Sequence, residues 1–580
     1  MFNDFRLNKQ DVFHSIGVII YAIILGVVVA LIAAAYEKSF HLLANYWQKD
    51  NHLLAFIPQW LLFALGPIIA CPILYYILQK IPEHRQHSPT DLISAIHTRN
   101  GEIDAKSSLF STFASIFSIG FGFSVGYYSP TVQLGSGAGA LFHKLSGVRP
   151  IHRYISIGCG AAAAIAAIFH SPLGAVIFVH EVLLRFFSIR AFAPITISAV
   201  TGYVVSSKLF DKAIFFNLPS HYSFSVSTYF IAALGGIIAA FIGIMQIRHI
   251  MWVQRFNAKI KLGMFYQLLI AGVLTSLIIA NVPEAAGSSL NVMNALVTGH
   301  NYTLIALFII FMAKGAATVL TFGFGIPGGI FGPTIFTGAA LGGLIAGAVQ
   351  LLFPSLYFSS DIIIITTMAA MISAVIGAPI AMILITLEIT GDFQIASVVM
   401  LAVVMANITA YRFMGTSSFF DLQLKARGLD LDHGRDRLYT ETHSINNIIS
   451  QDYLAIINTT DLDTAEQQML SSYKNVACVI DEHNYLVGQI RLVDIELSRH
   501  TPQDQATLTV ADITQNNPEF VYRASSIWRA METMPQNHIN FIPVLDGENN
   551  PKLIGVVYSN DLMSHYLNFL NQLRNEENVV

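Results

Sequence analysis

Two segments of the chain share a pattern that can bind an anion with main-chain atoms alone. The segments GYYSPTVQLGSGAGA (126–140) and GIFGPTIFTGAALGG (329–343) both read G-x-x-x-P-T-[V/I]-x-x-G-x-x-x-G. Proline is tolerated in the first turn of a helix, and a helix N-terminus presents unpaired N–H groups and about half a positive charge. Glycine lets the backbone approach an ion closely. The pattern therefore predicts two helix starts that surround an anion without a lysine or arginine.

A second pair of matching segments follows the first pair along the chain. The segment SPLGAVIFVHE (171–181) is similar to APIAMILITLE (378–388), and in both a proline precedes a glutamate by nine residues. The prolines of the two pairs are offset by 203 and 207 residues. Two matched motifs in one order at nearly one offset indicate a duplication. Transporters built this way bring broken helices from two inverted halves together near the membrane midplane.

The other notable residues of these motifs have structural explanations. Glu181 and Glu388 occupy matching positions, and we predict that both are structural carboxylates bonded to helix ends rather than proton carriers. Close helix packing explains the small residues that follow the helix starts. These are Gly135, Gly137, Gly139, Gly342 and Gly343.

The elements that position these motifs must lie in a membrane. The chain of 580 residues is 54% hydrophobic and 12% charged, which is rare for a soluble protein of this size. Residues 16–35 carry no charge and are long enough to span a bilayer, while Asp4 and Asp11 argue against a cleaved signal peptide. We predict a polytopic helical domain over residues 1–430, with halves at about 10–215 and 222–430. Further apolar stretches lie around 59–78, 155–182, 193–207, 226–247, 265–281, 303–320, 361–387 and 394–413.

The C-terminal part of the chain has a different composition. Residues 431–580 hold 29 of the 68 charged residues, so we expect a soluble domain there. It contains its own repeat, because YLVGQIRLVDIEL (485–497) is similar to KLIGVVYSNDLMS (552–564). Each copy reads as a short apolar strand, a turn with an aspartate, and a helix start. The repeat predicts two small α/β domains at 444–500 and 508–567.

Several other classes of protein find no support in the sequence. The three cysteines, Cys71, Cys159 and Cys478, are scattered and odd in number, so no disulfide framework or metal cluster is expected. The sequence has no basic stripe that would favour nucleic acid. It also has no nucleophile–base pair or metal-ligand spacing that would favour an enzyme, and we expect no required cofactor.

Five motifs, in family order, resemble the CLC family of chloride channels and chloride/proton antiporters over about residues 10–430. In chain order they are GCGAAAAIAAIFHSPLGAVIFVHE (158–181), KGAATVLTFGFGIP (314–327), GGIFGP (328–333), GAPIAMILITLEITGDF (377–393) and SFFDLQLKARG (418–428). The tail resembles a pair of CBS domains, which CLC proteins commonly carry. The resemblance implies an all-α polytopic membrane domain with inverted repeats and re-entrant helices, followed by an α/β CBS pair.

The resemblance also implies an assembly and a location. CLC proteins are homodimers with a separate pore in each subunit. We therefore expect a homodimer in contact with membrane lipid, which transports chloride or other small anions and binds no nucleic acid. We expect a multi-pass integral membrane protein with a cytoplasmic CBS pair, in a bacterial inner (cell) membrane.

The sequence departs from the family at the two positions that carry protons. The family's gating motif, G-[K/R]-E-G-P, is Gly-Tyr-Tyr-Ser-Pro here, so Tyr128 replaces the gating glutamate. Antiporters have a second glutamate after the position of Glu181, where this chain has Val182. Tyrosine ordinarily titrates near pH 10 and valine does not titrate. His170 and His180 could substitute, but packing or a place in the vestibule explains them better.

Two further positions of the expected anion path are altered. The central tyrosine of the family is replaced by Phe420, and the early G-S-G-x-P motif is blurred into QHSPTDL (86–92), which leaves His87 or Ser88 at the serine position. We predict that Tyr128 lies in the pore as a neutral plug, whereas the alternative places Tyr127 and Tyr128 outward as interfacial aromatics. The predicted path comprises Gly126, Tyr128, Ser129, Pro130, His87, Ser88, Gly329, Ile330, Phe331, Gly332 and Phe420.

These departures predict a voltage- or ligand-modulated chloride channel that is passive and not proton-coupled. One alternative is a chloride/proton antiporter with a different proton path. A second is a CBS-regulated cation channel, which would need carboxylates in its pore.

The CBS repeat raises a separate question of ligand binding. In such pairs an aspartate often holds a nucleotide ribose, and Asp494 and Asp561 match it. The neighbouring Ser/Thr of the pattern is Arg491 in one half and Tyr558 in the other. Adenine nucleotide is therefore one candidate ligand. A dimerising or regulatory contact is the other interpretation, with the aspartates acting as helix caps.

Overall fold

The computed structural model describes residues 9–48, 58–98, 101–146, 153–209, 224–287, 290–297, 302–431, 435–499, 508–516, 518–534, 540–548 and 550–577. They form two compact units, Met1–Leu429 and Asp430–Val580.

The described part of the first unit is helical. Seven of its helices are long and apolar enough to cross a membrane. In chain order the helices are α1 (Lys9–Gln48), α2 (Gln59–Leu78), α3 (Pro89–Thr98), α4 (Ala105–Gly120), α5 (Tyr128–Ser146), α6 (Arg153–Phe169), α7 (Pro172–Phe178), α8 (Ile189–Leu209), α9 (Val226–Ile260), α10 (Met264–Asn281), α11 (Leu290–Val297), α12 (Leu304–Gly323), α13 (Phe331–Leu352), α14 (Ser360–Ile376), α15 (Pro379–Thr390), α16 (Phe393–Met414) and α17 (Phe419–Lys425). A π-helical turn, Val179–Leu184, continues α7.

Helices α1–α8 and α9–α16 form two equivalent halves, which confirms the predicted duplication. Helix α1 packs on α8 as α9 packs on α16, α5 packs on α6 as α13 packs on α14, and α6 packs on α8 as α14 packs on α16. The halves meet through equivalent elements, because α2 packs on α10 and α7 packs on α15. Such reciprocal contacts are those of two bodies related by a twofold axis.

Several helices are too short to cross a bilayer, which takes about 20 residues. Helix α7 has 7 residues and α15 has 12, while α6 and α14 have 17 each. Every residue of α6 from Ile155 to Phe169 is buried. A helix that is apolar on all sides must be surrounded by other helices. These short helices therefore end inside the unit, as re-entrant helices do.

Glycines allow the helices of each half to cross closely. A Cβ atom on Gly135 would lie 2.4 Å from the carbonyl oxygen of Gly160 in α6, and one on Gly342 would lie 2.7 Å from the Cα atom of Ile364 in α14. The predicted packing role is confirmed there. It holds as well for Gly137, Gly139 and Gly343, whose Cβ atoms would approach Ser108, Ser156 and Leu307.

The second unit contains two α/β halves of one topology. In each half a strand pairs in parallel with the next strand, which pairs in an antiparallel way with a third. Its helices are α18 (Arg435–Thr442), α19 (Leu462–Ser471), α20 (Leu492–Ser498), α21 (Val510–Ile513), α22 (Ile527–Thr533) and α23 (Ser559–Glu577). Its strands are β1 (Ala455–Ile457), β2 (Val476–Ile480), β3 (Leu486–Arg491), β4 (Gln515–Asn516), β5 (Val521–Tyr522), β6 (Phe541–Gly547) and β7 (Asn550–Tyr558).

Candidate anion site

The two predicted helix starts lie side by side. Helix α5 begins at Tyr128 and α13 begins at Phe331. Just before them, Gly126 and Gly329 donate to each other's carbonyl oxygens over 2.7 Å in both directions, which forms an antiparallel bridge. A Cβ atom on Gly126 would lie 2.7 Å from the main-chain nitrogen of Gly332, closer than real Cβ atoms come. Only glycine lets the two backbones meet, and their meeting sets both N-termini at one place.

A small cavity of about 20 Å³ lies beside these helix starts. That volume holds about one water-sized particle. The cavity lining is mostly apolar and comes from both halves and from α17. The lining residues are Pro89, Tyr128, Ser129, Val132, Ile165, Phe169, Phe178, Phe331, Ile376 and Phe420.

Aromatic rings form one wall of the cavity. The Tyr128 ring stacks on Phe169 with centroids 4.3 Å apart and planes 12° apart. The Phe331 ring lies 5.2 Å from both of them. Aromatic rings have positive edges and negative faces, so a ring edge attracts an anion without a fixed charge whereas a ring face repels it.

The structure brings together four of the predicted path residues from distant parts of the chain. Tyr128, Ser129, Phe331 and Phe420 all line the cavity. The other predicted residues of the two helix starts belong to the adjoining main chain. These are Gly126, Pro130, Gly329, Ile330 and Gly332.

His87 and Ser88 are not among the residues that line this cavity. The cavity is lined instead by Pro89, the first residue of α3. The Ser88 amide and hydroxyl donate to Asp91 over 2.8 and 3.2 Å, as the cap of a helix start does. The His87 amide donates to the Ser111 hydroxyl over 2.8 Å, and His87 lines a separate, larger cavity.

Gln86 makes the contact with the second helix start that the sequence analysis missed. Its side-chain oxygen accepts from the Gly328 amide over 2.6 Å, and its side-chain nitrogen donates to the Gly328 carbonyl over 3.1 Å. The loop before α3 is therefore joined to the loop before α13 by an amide side chain.

Phe169 and Ile376 are further lining residues that the sequence analysis missed. Each lies three residues before the matched proline of its half, at Pro172 and Pro379, so they are equivalent in the repeat. Each is the last residue of a buried helix. Their place just before those prolines was a usable signal, because binding residues occur more often where a helix passes into a loop than in the middle of a helix.

Both tyrosines are buried, which is against the interfacial alternative. Tyr127 is 2% exposed and Tyr128 is 3% exposed. The Tyr127 hydroxyl donates to the Tyr128 hydroxyl over 3.3 Å. The Tyr127 ring packs on Phe40 of α1, with centroids 4.9 Å apart, and does not line the cavity.

Val182 and Phe420 belong to elements that are joined by a buried ion pair. Val182 is buried in the π-helical turn, which ends at Arg185 with a φ of +60°. The Arg185 guanidinium pairs with Asp421, the residue after Phe420 in α17, and Asp421 is 2% exposed. The Ser418 hydroxyl also donates to Asp421 over 2.9 Å. These bonds tie the π-helical turn to the start of α17.

Glu181 and Glu388 bond to helix ends, as predicted, and each of these helix ends belongs to the opposite half. Glu181 accepts from the amides of Ile380 and Ala381 in α15 over 3.1 and 2.9 Å. Glu388 accepts from the amides of Leu173 and Gly174 in α7 over 3.0 and 2.9 Å. The Ser171 hydroxyl donates to Glu388 as well. The two carboxylates thus cap each other's helices across the pseudo-twofold axis.

A larger, charged cavity of about 410 Å³ lies near the other end of α3 and α17. Asp91 accepts from Arg85 over 3.0 and 2.7 Å and from Arg427 over 2.8 Å. His87 and Glu102 also line it. Arg85 also pairs with Glu83, and Asp104 lines the cavity as well, so the lining holds more carboxylates than guanidinium groups.

In the second unit, Asp494 acts as a helix cap. It accepts from the Arg491 main-chain amide over 3.2 Å and from the Arg491 guanidinium over 2.9 and 2.5 Å. Asp561 lies in the first turn of α23 and is exposed. The Tyr558 hydroxyl donates to the Asp452 carbonyl over 2.6 Å. Arg491 and Tyr558 thus have internal partners at the two places where a nucleotide would be expected.

Among the residues that the structure describes, no group of three or more His, Cys, Asp or Glu side chains is placed to hold a metal ion.

Two equivalent halves whose broken helices meet at a small apolar cavity define a multi-pass membrane channel or transporter. A family model described as voltage gated chloride channel matches residues 70–411, more than half of the chain, and a CBS domain model matches residues 510–568. The chain belongs to this chloride channel and transporter family, the CLC family, and carries a C-terminal CBS domain.

Similar proteins agree with this assignment. The voltage-gated ClC-type chloride channel ClcB of Shigella boydii is 29% identical over 346 residues, which cover 60% of this chain and 82% of that protein. ClcB of Escherichia coli K12 is also 29% identical over 346 residues, with the same coverage.

Solved structures match the fold. A slow cyanobacterial Cl⁻/H⁺ antiporter has a TM-score of 0.64 at 19% identity, covering 71% of this chain and 97% of that one. A eukaryotic CLC transporter has a TM-score of 0.63 at 18% identity, covering 95% of this chain and 98% of that one.

Proposed function

We propose that this protein is a passive chloride channel, modulated by voltage or a ligand, without proton coupling. The observation that carries the proposal is the position of Tyr128, whose neutral ring lines the cavity at the start of α5, where the family usually has a gating glutamate. Val182, at the other proton position, is buried and cannot titrate. Proton exchange needs a group in the pathway that changes charge near ambient pH, and neither side chain does so.

The anion is proposed to bind in the small cavity, with main-chain N–H groups near Tyr128, Ile330 and Phe331 as its ligands. Support comes from the Gly126–Gly329 bridge, which holds both helix starts together. Because Tyr127 donates to the Tyr128 hydroxyl, the Tyr128 proton remains available to an anion. Phe420 is proposed to close the cavity on the side of α17.

The proposal is tested by the reversal potential of the purified protein in lipid bilayers. Under a chloride gradient the potential should follow the Nernst value for chloride. A pH gradient of about two units at fixed chloride should leave the potential unchanged, since no proton moves with the anion. A reproducible shift, or proton uptake driven by chloride, would instead establish the antiporter.

The assembly and the CBS pair complete the proposal. We propose a homodimer in a bacterial inner membrane, with the CBS pair in the cytoplasm as a dimerising or regulatory contact. Adenine nucleotide is the ligand to test at this pair. It would have to displace Arg491 from Asp494, so titration calorimetry with ATP and AMP should give at most weak binding, and Arg491→Ala should strengthen it. Tight binding to the parent protein would favour a nucleotide sensor.

A further inference from the structure

The loop that leads into α13 is held from three sides. The Ser118 hydroxyl of α4 donates to the Pro327 carbonyl oxygen. The Gln86 side chain bonds to the next residue, Gly328, and the residue after that, Gly329, forms the bridge to the α5 start. Three successive residues thus have partners in three different segments, and the N–H groups of the α13 start follow directly.

The Gln86 carboxamide bonds to both main-chain polar groups of one residue. Its Oε1 atom accepts from the Gly328 amide over 2.6 Å, and its Nε2 atom donates to the Gly328 carbonyl over 3.1 Å. Because peptide groups are planar, these two bonds fix the orientation of the peptide planes on both sides of Gly328. A Cβ atom on Gly328 would lie 2.3 Å from the Cβ atom of Val125, so the loop is also closely packed on the α5 side.

The equivalent position in the first half is held in a different way. Val125 precedes the first G-x-x-x-P-T motif as Gly328 precedes the second. The Val125 amide donates to the Phe123 carbonyl over 2.8 Å, within its own loop. The first loop is therefore held there by its own main chain, whereas the second loop receives a side chain from the segment before α3.

The Gln86–Gly328 contact adjoins the small cavity along both segments. Gln86 lies three residues before Pro89, and Gly328 lies three residues before Phe331. Pro89 and Phe331 both line the cavity, whose volume is about 20 Å³. Since that volume holds about one water-sized particle, a small displacement of the α13 start changes which ions fit.

We propose that Gln86 is a positioning residue for anion selectivity: by holding Gly328 it keeps the α13 start in place, so that the cavity admits chloride and disfavours larger anions such as nitrate and thiocyanate. The inference rests on the proposed anion conduction and adds its selectivity. Gln86 acts through the loop, without touching the ion.

The test is the permeability of nitrate and of thiocyanate relative to chloride, measured as reversal potentials in lipid bilayers at pH 7.5 on both sides. Gln86→Met has a side chain of similar length and removes both hydrogen bonds. Because two neutral hydrogen bonds hold the loop, both permeability ratios should rise about three- to tenfold. The matched control is Gln267→Met, which removes a carboxamide bond to the Leu262 carbonyl at the start of α10 and should keep the parent ratios.

Gln86→Asn separates the two hydrogen bonds from the polarity of the amide. Its carboxamide is one methylene shorter and cannot make both bonds to Gly328, so the ratios should rise as they do in Gln86→Met. It also provides the test if Gln86→Met does not elute as a single species. Conducting Gln86 variants with the parent ratios overturn the inference, since a merely structural role would lower thermal stability and leave selectivity unchanged.

Failure of the proposed function has a different signature. A parent protein without anion current overturns that function and this inference with it. A reversal potential that moves with a pH gradient at fixed chloride overturns the passive channel alone, because the permeability ratios are measured without a pH gradient.

Discussion

In the first half of the membrane unit, α5 begins with Tyr128 and Ser129, whereas in the second half α13 begins with Phe331 and Gly332. The backbones of the two starts are joined by symmetric hydrogen bonds at Gly126 and Gly329. The duplication has thus kept the main-chain geometry and changed the side chains. We infer that ion binding depends on the main-chain N–H groups, which the two halves share. Gating depends on the side-chain hydroxyls, which only the first half has at these positions.

The glutamates that cap α7 and α15 show the same division. Glu181 and Glu388 each accept two amide hydrogen bonds from the opposite half. Glu388 alone accepts a hydroxyl as well, because the first half has Ser171 where the second has Ala378. The two glutamates therefore accept equivalent main-chain hydrogen bonds but unequal side-chain hydrogen bonds.

The largest effect is expected when the first helix start receives a charge. In Tyr128→Glu the carboxylate would be attracted to the N–H groups that attract chloride, and it would compete for the site. A bond to a charged group is worth about 1.5–3 kcal/mol, so chloride flux at pH 7.5 should fall about ten- to a hundredfold. Flux should recover in acid, because a protonated carboxyl no longer competes.

The matched control for that variant is Tyr128→Gln, which has similar size and no charge and should conduct at both pH values. Liposome efflux from pH 4 to 8 measures both. If Tyr128→Glu conducts like the parent protein throughout, Tyr128 does not stand in the ion path, and the tyrosine pair only packs α5 against α1.

An intermediate effect should distinguish the two glutamate caps. Glu388→Gln should lower the stability of the membrane unit by about 2 kcal/mol and Glu181→Gln by about 1 kcal/mol, since Glu388 loses one more bond. Thermal unfolding in detergent measures both variants. In a protein that already carries Ser171→Ala, the stability lost on Glu388→Gln should be closer to the stability lost on Glu181→Gln. Equal losses for the single variants would show that the Ser171 bond contributes nothing.

The smallest effect is expected at Phe420. Phe420→Tyr would place a hydroxyl donor at the α17 side of the cavity, opposite the Tyr128 hydroxyl. One neutral hydrogen bond is worth about 0.5–1.5 kcal/mol, so chloride affinity should rise about two- to tenfold. Calorimetric chloride titration provides the measurement, with Phe420→Leu as the control without a donor. Unchanged affinity would mean that Phe420 does not face the bound ion.

Much of the fold and part of the site follow from local sequence patterns. The G-x-x-x-P-T motifs start helices wherever they occur, because proline and glycine act on their own backbone and do not depend on distant contacts. Repetition of the motifs predicted the two halves, and the matching positions of Glu181 and Glu388 predicted that both bond to helix ends, although not that each caps a helix of the opposite half. Tyr128, Ser129 and Phe331 were found because each lies in such a motif, whereas Phe420 was found through the resemblance of residues 418–428 to the family.

By itself the sequence determined the membrane class, the duplication and the helix starts. Only the tertiary structure decided that Pro89 rather than Ser88 borders the cavity and that Gln86 bonds to Gly328. It also brought Arg185 to Asp421. These pairs lie far apart in the chain and follow no periodic pattern. Their proximity depends on how buried helices pack, and packing arises from the shape of the whole unit.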